Sequence, residues 1–318
     1  MEILICADKN YIMPVCVLLS SVAENNRDDN TLRFHVFIDE SVGDNERCKI
    51  NTTANKYGIH VNFYLIDKTL FEGWYLGNLT VATYYRLILE DILSLDIHRI
   101  IYLDCDMIVR KSLKPLWDIS LDGYSLAAVP DLSELMPERY LRLGYSEEMG
   151  YFNAGMLLIN VDYWREKKLK KTFLEYFKAN MDSCLQHDQD VLNVCCLRTK
   201  KIIDLKWNCQ DGFFYTRKYI SVERYKEQWK EALTSPIILH YTAAKPWEMG
   251  CDHPYKDEFF KYQQKTIWRD AELVLPRSPL TRKQKLVRFL RAIHLAHPTN
   301  PVECCADANP KTMLPNDT

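Results

Sequence analysis

The stretch Arg99-Ile100-Ile101-Tyr102-Leu103-Asp104-Cys105-Asp106-Met107-Ile108-Val109 carries the sharpest chemical signal in the chain. An apolar strand runs into two aspartates one residue apart, and alternating side chains at a strand end let both carboxylates reach one hard cation. Apolar residues on both sides make this a costly place for two like charges unless a cation or hydrogen-bond donors neutralise them. A bare Asp-x-Asp is also a common solvated turn after a strand.

Two further groups extend this pair. In His240-Tyr241-Thr242-Ala243-Ala244-Lys245-Pro246-Trp247, an imidazole at the end of the apolar run Ile237 to Leu239 is a candidate third metal ligand. The lysine five residues later suits a phosphate. A lone histidine at a strand end is otherwise a hydrogen-bonded structural residue. Gln186-His187-Asp188-Gln189-Asp190 leads directly into Val191-Leu192. Capping and the helix dipole favour a carboxylate at such a helix start, which accounts for one aspartate better than for both plus Gln189.

Other chemistries lose their usual support. None of the ten glycines opens a Gly-x4-Gly-Lys-Ser/Thr loop or begins Gly-x-Gly-x-x-Gly, and no His-Glu-x-x-His occurs. The eleven cysteines are odd in number and without disulfide rhythm. Cys195-Cys196 and Cys304-Cys305 are adjacent, the wrong spacing for a zinc knuckle, and Cys6, Cys16 and Cys105 sit in apolar segments, as reduced core cysteines of a cytosolic protein do.

The elements that must position these groups alternate. Strand-type runs at Ile3 to Ala7, Arg33 to Ile38, His60 to Leu65, Arg99 to Leu103, Ser125 to Val129, Ala154 to Val161 and Ile237 to His240 are interleaved with helix-type runs. The helices fall at Met13 to Asn25, Asn45 to Tyr57, Thr80 to Leu93, Tyr163 to Asn180, Asp188 to Cys196 and Tyr255 to Ile267. This pattern predicts one α/β domain with a mainly parallel sheet, and in such sheets ligands bind outside the carboxyl ends of the strands, where Asp104 and Asp106 fall.

Seven pieces in register resemble glycosyltransferase family 8, the bacterial lipooligosaccharide galactosyl- and glucosyltransferases with glycogenin as a distant relative. They are Ala7-Asp8-Lys9-Asn10-Tyr11, Thr83-Tyr84-Tyr85-Arg86-Leu87, Tyr102 through Asp106, Ser112-Leu113-Lys114-Pro115-Leu116-Trp117, Tyr151-Phe152-Asn153-Ala154-Gly155, Asp188-Gln189-Asp190, and His240 through Lys245-Pro246-Trp247. The resemblance implies a Rossmann-like nucleotide-sugar-binding fold of the GT-A type over residues 1–270. It implies Mn2+, with Mg2+ as a substitute, on Asp104, Asp106 and His240, bridging the phosphates of UDP-galactose or UDP-glucose. Ala7, Asp8, Asn10 and Tyr11 would hold uridine, Arg86, Asn153, Asp188 and Gln189 the donor sugar, and Lys245 the diphosphate, with Cys105 and Ala154 lining the same donor site. Asp131 would lie near the sugar and the acceptor.

The family retains anomeric configuration. Retaining hydrolases use a carboxylate nucleophile, but the matching position here is the amide Gln189, a poor nucleophile. Front-face attack, with the departing phosphate taking the acceptor's proton, is therefore favoured, and a covalent route through Asp188 or Asp131 stays open. Two carboxylates, one imidazole and phosphate oxygens suit Mn2+ or Mg2+ rather than a thiophilic metal. Ala243 stands where relatives usually carry glycine, which matters if that residue needs a positive φ. Asn78 and Gln186 differ in character from acceptor-side residues of the family, so the acceptor does not carry over beyond a glycan or glycolipid such as a lipopolysaccharide core. A sugar nucleotidyltransferase, or a non-catalytic nucleotide-sugar-binding protein, is the alternative reading. The former expects a glycine-rich loop after the first strand, and none follows Ala7.

Length and charge complete the reading. The 318 residues, 47% hydrophobic, can bury a large core without staples, and 41 basic against 43 acidic residues give a net −2. Met1 to Leu4 does not begin a signal peptide, and no apolar run of about 18 residues could span a membrane. Near-neutrality conceals an asymmetry. Arg277 to Pro298 holds Arg277, Arg282, Lys283, Lys285, Arg288 and Arg291 and no acid, leaving 35 basic against 43 acidic residues elsewhere, a net −8. Leu286, Phe289, Leu290 and Ile293 define one apolar face of a basic helix, so residues 271–318 read as an amphipathic tail. It would attach a cytoplasmic enzyme peripherally to an anionic inner-membrane surface, or else pack on the catalytic domain. No aromatic interleaving supports nucleic acid.

Overall fold

A computed structural model of the chain describes residues 1–275, apart from 75, 78, 216–220 and 222, together with residue 286. Seven strands form the central sheet: β1 (Glu2–Cys6), β2 (Arg33–Ile38), β3 (His60–Leu65), β4 (Arg99–Leu103), β6 (Leu126–Pro130), β7 (Phe152–Asn160) and β8 (Lys200–Ile202). Their order is β3-β2-β1-β4-β7-β6-β8. Every pairing is parallel except the two made by β7, which runs antiparallel between β4 and β6.

The strands read as continuous apolar runs because both faces of the sheet are covered. Ile3, Ile5, Phe34, Val36, Ile101 and Leu103 face one core with the helix Ile12–Asn25, while Leu4, Cys6, Phe37, Ile100 and Tyr102 face another with Trp164, Phe173 and Phe177. Nine cysteines are free among the described residues, and seven of them are buried. No helix among the described residues is long and apolar enough to cross a membrane.

Three features depart from the sequence reading. The strand read at Ile237 to His240 is β10 (Ile238–His240), but it lies in a second sheet between β5 (Met107–Val109) and β9 (Cys209–Gln210), which the sequence reading does not foresee because β5 and β9 are too short to show a period. The run Thr80 to Leu93 is not one α-helix: Val81–Ile88 winds as a 3-10 helix and Leu89–Ile92 as one α turn. The run Tyr163 to Asn180 is divided at Lys168 (φ 53°) into helices Val161–Lys167 and Leu169–Ala179.

The basic stretch 277–298 lies outside the described residues except for Leu286, as does Asn78.

Candidate active site

Asp104, Cys105 and Asp106 connect two sheets. β4 ends in the central sheet at Leu103 and β5 begins the small one at Met107, so both carboxylates stay at the junction. The Cys105 thiol turns inward instead, to the carbonyl of Cys6 at 3.2 Å. β10 runs antiparallel to β5 with His240 opposite Met107, and the Tyr241 N–H donates to the Asp106 carbonyl at 3.0 Å. This register delivers His240 to the aspartates.

One ligand atom from each of Asp104, Asp106 and His240 lies within 4.8 Å of the other two. His240 Nε2 stands 3.3 Å from Asp106 Oδ1 and 3.7 Å from Asp104 Oδ2. Asp106 Oδ2 takes the Lys245 ammonium at 2.6 Å, whereas Asp106 Oδ1 is buried with no hydrogen-bond partner. Burial opposes its charge, but Lys245 prevails and holds the Asp106 carboxyl well below the usual carboxylate range. A bare acceptor oxygen beside a second carboxylate and an imidazole fits a hard divalent cation. Gly155 leaves the space: a Cβ there would come within 2.3 Å of His240 Cε1 and 2.8 Å of Asp104 Oδ2.

The backbone reaches that position through an irregularity of β7. Ala128 pairs with Leu157 but Val129 with Asn153, so Ala154, Gly155 and Met156 are extra residues facing β6. The Asp104 N–H donates to the Gly155 carbonyl at 2.8 Å, and the bulge thereby aims Asn153 and Ala154 into the site.

Arg86 joins the cation-binding group to the second half of the site. Its Nη2 donates to Asp104 Oδ1 at 2.8 Å and its Nη1 to the Ala154 carbonyl at 2.7 Å, while the guanidinium lies 3.9 Å from the Tyr102 ring centre. The Tyr102 hydroxyl also donates to Asp104 Oδ1, at 2.5 Å. Arg86 Nε sits 3.2 Å from Asp188 Oδ2, an ion pair in which neither atom has an aligned hydrogen bond. The Thr83 hydroxyl donates to Asp188 Oδ1 at 2.6 Å. Thr83 and Arg86 reach one carboxylate because side chains three apart eclipse in a 3-10 helix, which is the consequence of the tighter winding there. Burial raises the Asp188 carboxyl, with Arg86 and Thr83 opposing. His187, directly before it, holds a left-handed φ of 54°, a strained conformation of the kind that clusters at functional sites.

Asp190, by contrast, lies apart from this pair. It accepts the Gln186 N–H at 2.7 Å, the Tyr151 hydroxyl at 2.7 Å and Arg142 at 2.7 Å, so it holds the helix start rather than a ligand. Gln189 Oε1 accepts the Ala154 N–H at 2.9 Å, and its Nε2 donates to Asp131 Oδ2 at 3.1 Å and lies 3.2 Å from the Tyr151 hydroxyl. Asp131 is saturated: Oδ1 meets the Ser133 N–H at 2.9 Å, the Ser133 hydroxyl and Arg139 at 3.2 Å, and Oδ2 takes Asn153 Nδ2 at 3.1 Å besides Gln189.

The turn after β1 closes the site on the other side of β4. Asp8 is buried and caps the 3-10 turn Lys9–Tyr11, accepting the Asn10 N–H at 2.7 Å, and the Ala7 N–H is tied to the Phe37 carbonyl at 3.0 Å. Tyr11 stands edge-on to Trp247, 6.2 Å between ring centres, which brings this turn beside the loop that bears Lys245. Asp39 at the end of β2, absent from the sequence reading, accepts the Tyr85 hydroxyl at 2.8 Å and the Ser41 N–H at 2.7 Å, and Ser41 Oγ accepts the Lys9 N–H at 3.3 Å. Ala243 does not need a glycine's freedom, since positive φ among the described non-glycine residues occurs only at Lys168 and His187. Its N–H donates to Asp211 Oδ2 at 3.0 Å.

Residues the motif reading missed act as partners to the residues it found: Tyr102, Thr83, Asn208, Arg139 and Asp211. Asn208, Arg139 and Asp211 belong to none of the quoted motifs. Only Asp211, a carboxylate that burial raises to about 6, lies in an apolar setting that marks a buried charge in the sequence.

Residues 2–251 match the model of the family described as Glycosyl transferase family 8. General stress protein A of Bacillus subtilis (strain 168) is 29% identical over 273 residues, which cover 84% of this chain and 94% of that protein. The lipopolysaccharide 1,3-galactosyltransferase of Salmonella typhimurium is 28% identical over 281 residues, covering 85% of this chain and 79% of the other. The crystal structure of the galactosyltransferase LgtC in complex with donor and acceptor sugar analogues is similar with a TM-score of 0.77 at 26% identity, over 90% of this chain and 99% of that one.

Proposed function

This chain belongs to glycosyltransferase family 8, and on that premise we propose that it is a retaining hexosyltransferase that moves galactose or glucose from a UDP-sugar to a glycan, with Mn2+ (or Mg2+) held by Asp104, Asp106 and His240. The observation that carries this reading is the partnerless Asp106 Oδ1 beside two other ligand atoms, over a backbone that only glycine allows. A bound divalent cation would neutralise charge on the diphosphate as it leaves.

The chain's own residues divide the remaining work. Ala7, Asp8, Asn10 and Tyr11 form the uridine side, where Tyr11 offers a ring face and the Asp8 cap holds the turn rigid. Lys245, anchored on Asp106, presents positive charge to the phosphates. Arg86 Nε and Asp188 Oδ2, the donor and acceptor without aligned bonds, are suited to sugar hydroxyls, with Asn153 and Gln189 beside them. Gln189 Oε1 is occupied by the Ala154 N–H, which argues against its attack on the anomeric carbon. In the front-face route the C1–O bond to phosphate breaks and the acceptor oxygen bonds C1 on the same side. The hydroxyl proton passes to the departing phosphate oxygen. A covalent route would draw on Asp188, whose Oδ2 is engaged only by the Arg86 ion pair at 3.2 Å, before the saturated Asp131.

We further propose a lipopolysaccharide-core glycan or another glycolipid as acceptor, handled in the cytoplasm at the inner membrane face. The named activity of the Salmonella relative and the basic amphipathic sequence 277–298 support this. A screen of UDP-sugars for metal-dependent UDP release tests class, metal and donor together. Release with UDP-galactose or UDP-glucose in Mn2+ is expected, and no release from any UDP-sugar in Mn2+ or Mg2+ would overturn the reading. Truncation after residue 275 should abolish cosedimentation with anionic vesicles, and equal binding of both forms would reject the membrane assignment.

A further inference from the structure

A metal-binding imidazole must present a lone pair, so one ring nitrogen has to be kept protonated by an acceptor. The structure determines which. The Gly155 backbone N–H, whose donor role is not in question, donates to Asn153 Oδ1 at 3.0 Å. That assigns the Asn153 amide: the oxygen faces Gly155, and the nitrogen donates to the carboxylate Asp131 Oδ2 at 3.1 Å, which can only accept. Asn208 places an amide group 2.9 Å from the same Asn153 Oδ1, and an oxygen there can be met only by the Asn208 NH2. The Asn208 oxygen therefore faces His240 Nδ1, at 2.9 Å, and must receive a proton from it. All five residues of this hydrogen-bonded series are buried.

We propose that Asn208 is a positioning residue for the metal: it holds His240 with the proton on Nδ1 and the Nε2 lone pair toward Asp104 and Asp106, and the relay through Asn153 ties that tautomer to Asp131. The inference rests on the proposed cation site, and it deepens it by naming the residue on which imidazole ligation depends. Carboxylates and backbone carbonyls are the usual partners of a metal-bound histidine. Here an asparagine serves, and because it also donates onward to Asn153, its orientation is enforced from the far side of the site.

The discriminating experiment exploits near-isosteric replacements. Asn208→Leu removes acceptor and donor together, whereas Asn208→Asp keeps the acceptor for His240 and loses the donor to Asn153. Free Mn2+ is read from its paramagnetic resonance signal during titration of the full chain in saturating UDP, with thermal melting as a parallel measure. The expected result is Mn2+ affinity lowered about 10- to 100-fold in Asn208→Leu and within about threefold of the parent in Asn208→Asp, although both lose the Asn153 bond. A purely structural role predicts equal losses in the two variants, and that outcome overturns the proposal, as does unchanged affinity in Asn208→Leu. If Asn208→Leu does not fold, Asn208→Asp decides alone, since a loss there of tenfold or more rejects the acceptor role. Asp106→Asn separates the two layers. Mn2+ binding that survives it, or a parent chain that binds none, removes the cation site itself, while loss there with no effect at position 208 removes only the relay.

Discussion

Asp106 and Asp131 are both carboxylates at strand boundaries, and the molecule treats them in opposite ways. Asp106 keeps one buried oxygen with no donor at all, while its other oxygen holds a single ammonium. Asp131 has both oxygens filled, by Ser133, Arg139, Asn153 and Gln189. The cation half of the site is incomplete until something binds, and the half around Asp131 is finished before anything does. A half that is incomplete should be felt in function above all, because its bare oxygen awaits a ligand, although Asp106 also pairs with the Lys245 ammonium at 2.6 Å. A half that is saturated should show the reverse when a partner is removed, since its neighbours are left buried and unpaired.

The largest expected effect tests the incomplete half. Asp106→Ala should lower metal-dependent transfer about 10³-fold, of the order seen when an electrostatic stabiliser is removed, in a protein that still folds. Turnover at the parent rate would erase the distinction between the halves. Next comes Gly155→Ala, whose methyl group would meet the His240 ring. We expect about 10- to 100-fold weaker Mn2+ binding, measured by the same titration as above, together with about 1–3 kcal/mol of lost stability from overpacking.

Asp131→Asn should sharpen the contrast from the other side. It leaves Arg139 without its carboxylate and sets a second NH2 group against Asn153 and Gln189, for about 1–3 kcal/mol of lost stability in urea unfolding. Mn2+ affinity in UDP should stay within a few-fold of the parent, and a large loss of metal with no loss of stability would invert the comparison. The smallest effect concerns pH. Burial raises the Asp188 carboxyl above its ordinary 3.8 despite Arg86. A carboxyl with a raised folded pKa binds more protons folded than unfolded, so its contribution is favourable below 3.8 and declines as pH rises through the window up to the folded value. The stability of the parent should therefore fall relative to Asp188→Asn as pH rises above 3.8, measured by urea unfolding. A constant difference across that range would show that Arg86 fully compensates the burial.

Much of the fold was legible because its strands are local objects. The spans Arg33–Ile38, His60–Leu65 and Arg99–Leu103 have the bounds read from the sequence, since a covered inner strand such as Arg99–Leu103 reads as an apolar run and the edge strand His60–Leu65 as an alternation. The small sheet as such was not legible: β10 was read as the run Ile237 to His240, but its partners β5 and β9, of three and two residues, carry no period. The division at Lys168 was missed because nothing in the run Tyr163 to Asn180 marks a left-handed residue.

The sequence by itself determined which groups are chemically eligible: two aspartates at a strand end, an imidazole and an ammonium after another, and a polar helix start with Asp188 and Gln189. Tertiary structure decided their roles. The pairing of β10 with β5 sets His240 beside Asp106, the β7 bulge puts Gly155 beneath the ring, and Asn208 receives the proton on Nδ1. Eligibility is a property of side-chain type and short-range alternation, which one stretch of chain can encode. Whether a carboxylate is bare or saturated, and which nitrogen of an imidazole is free, depends on donors from segments remote in sequence, which are placed only when the two sheets meet.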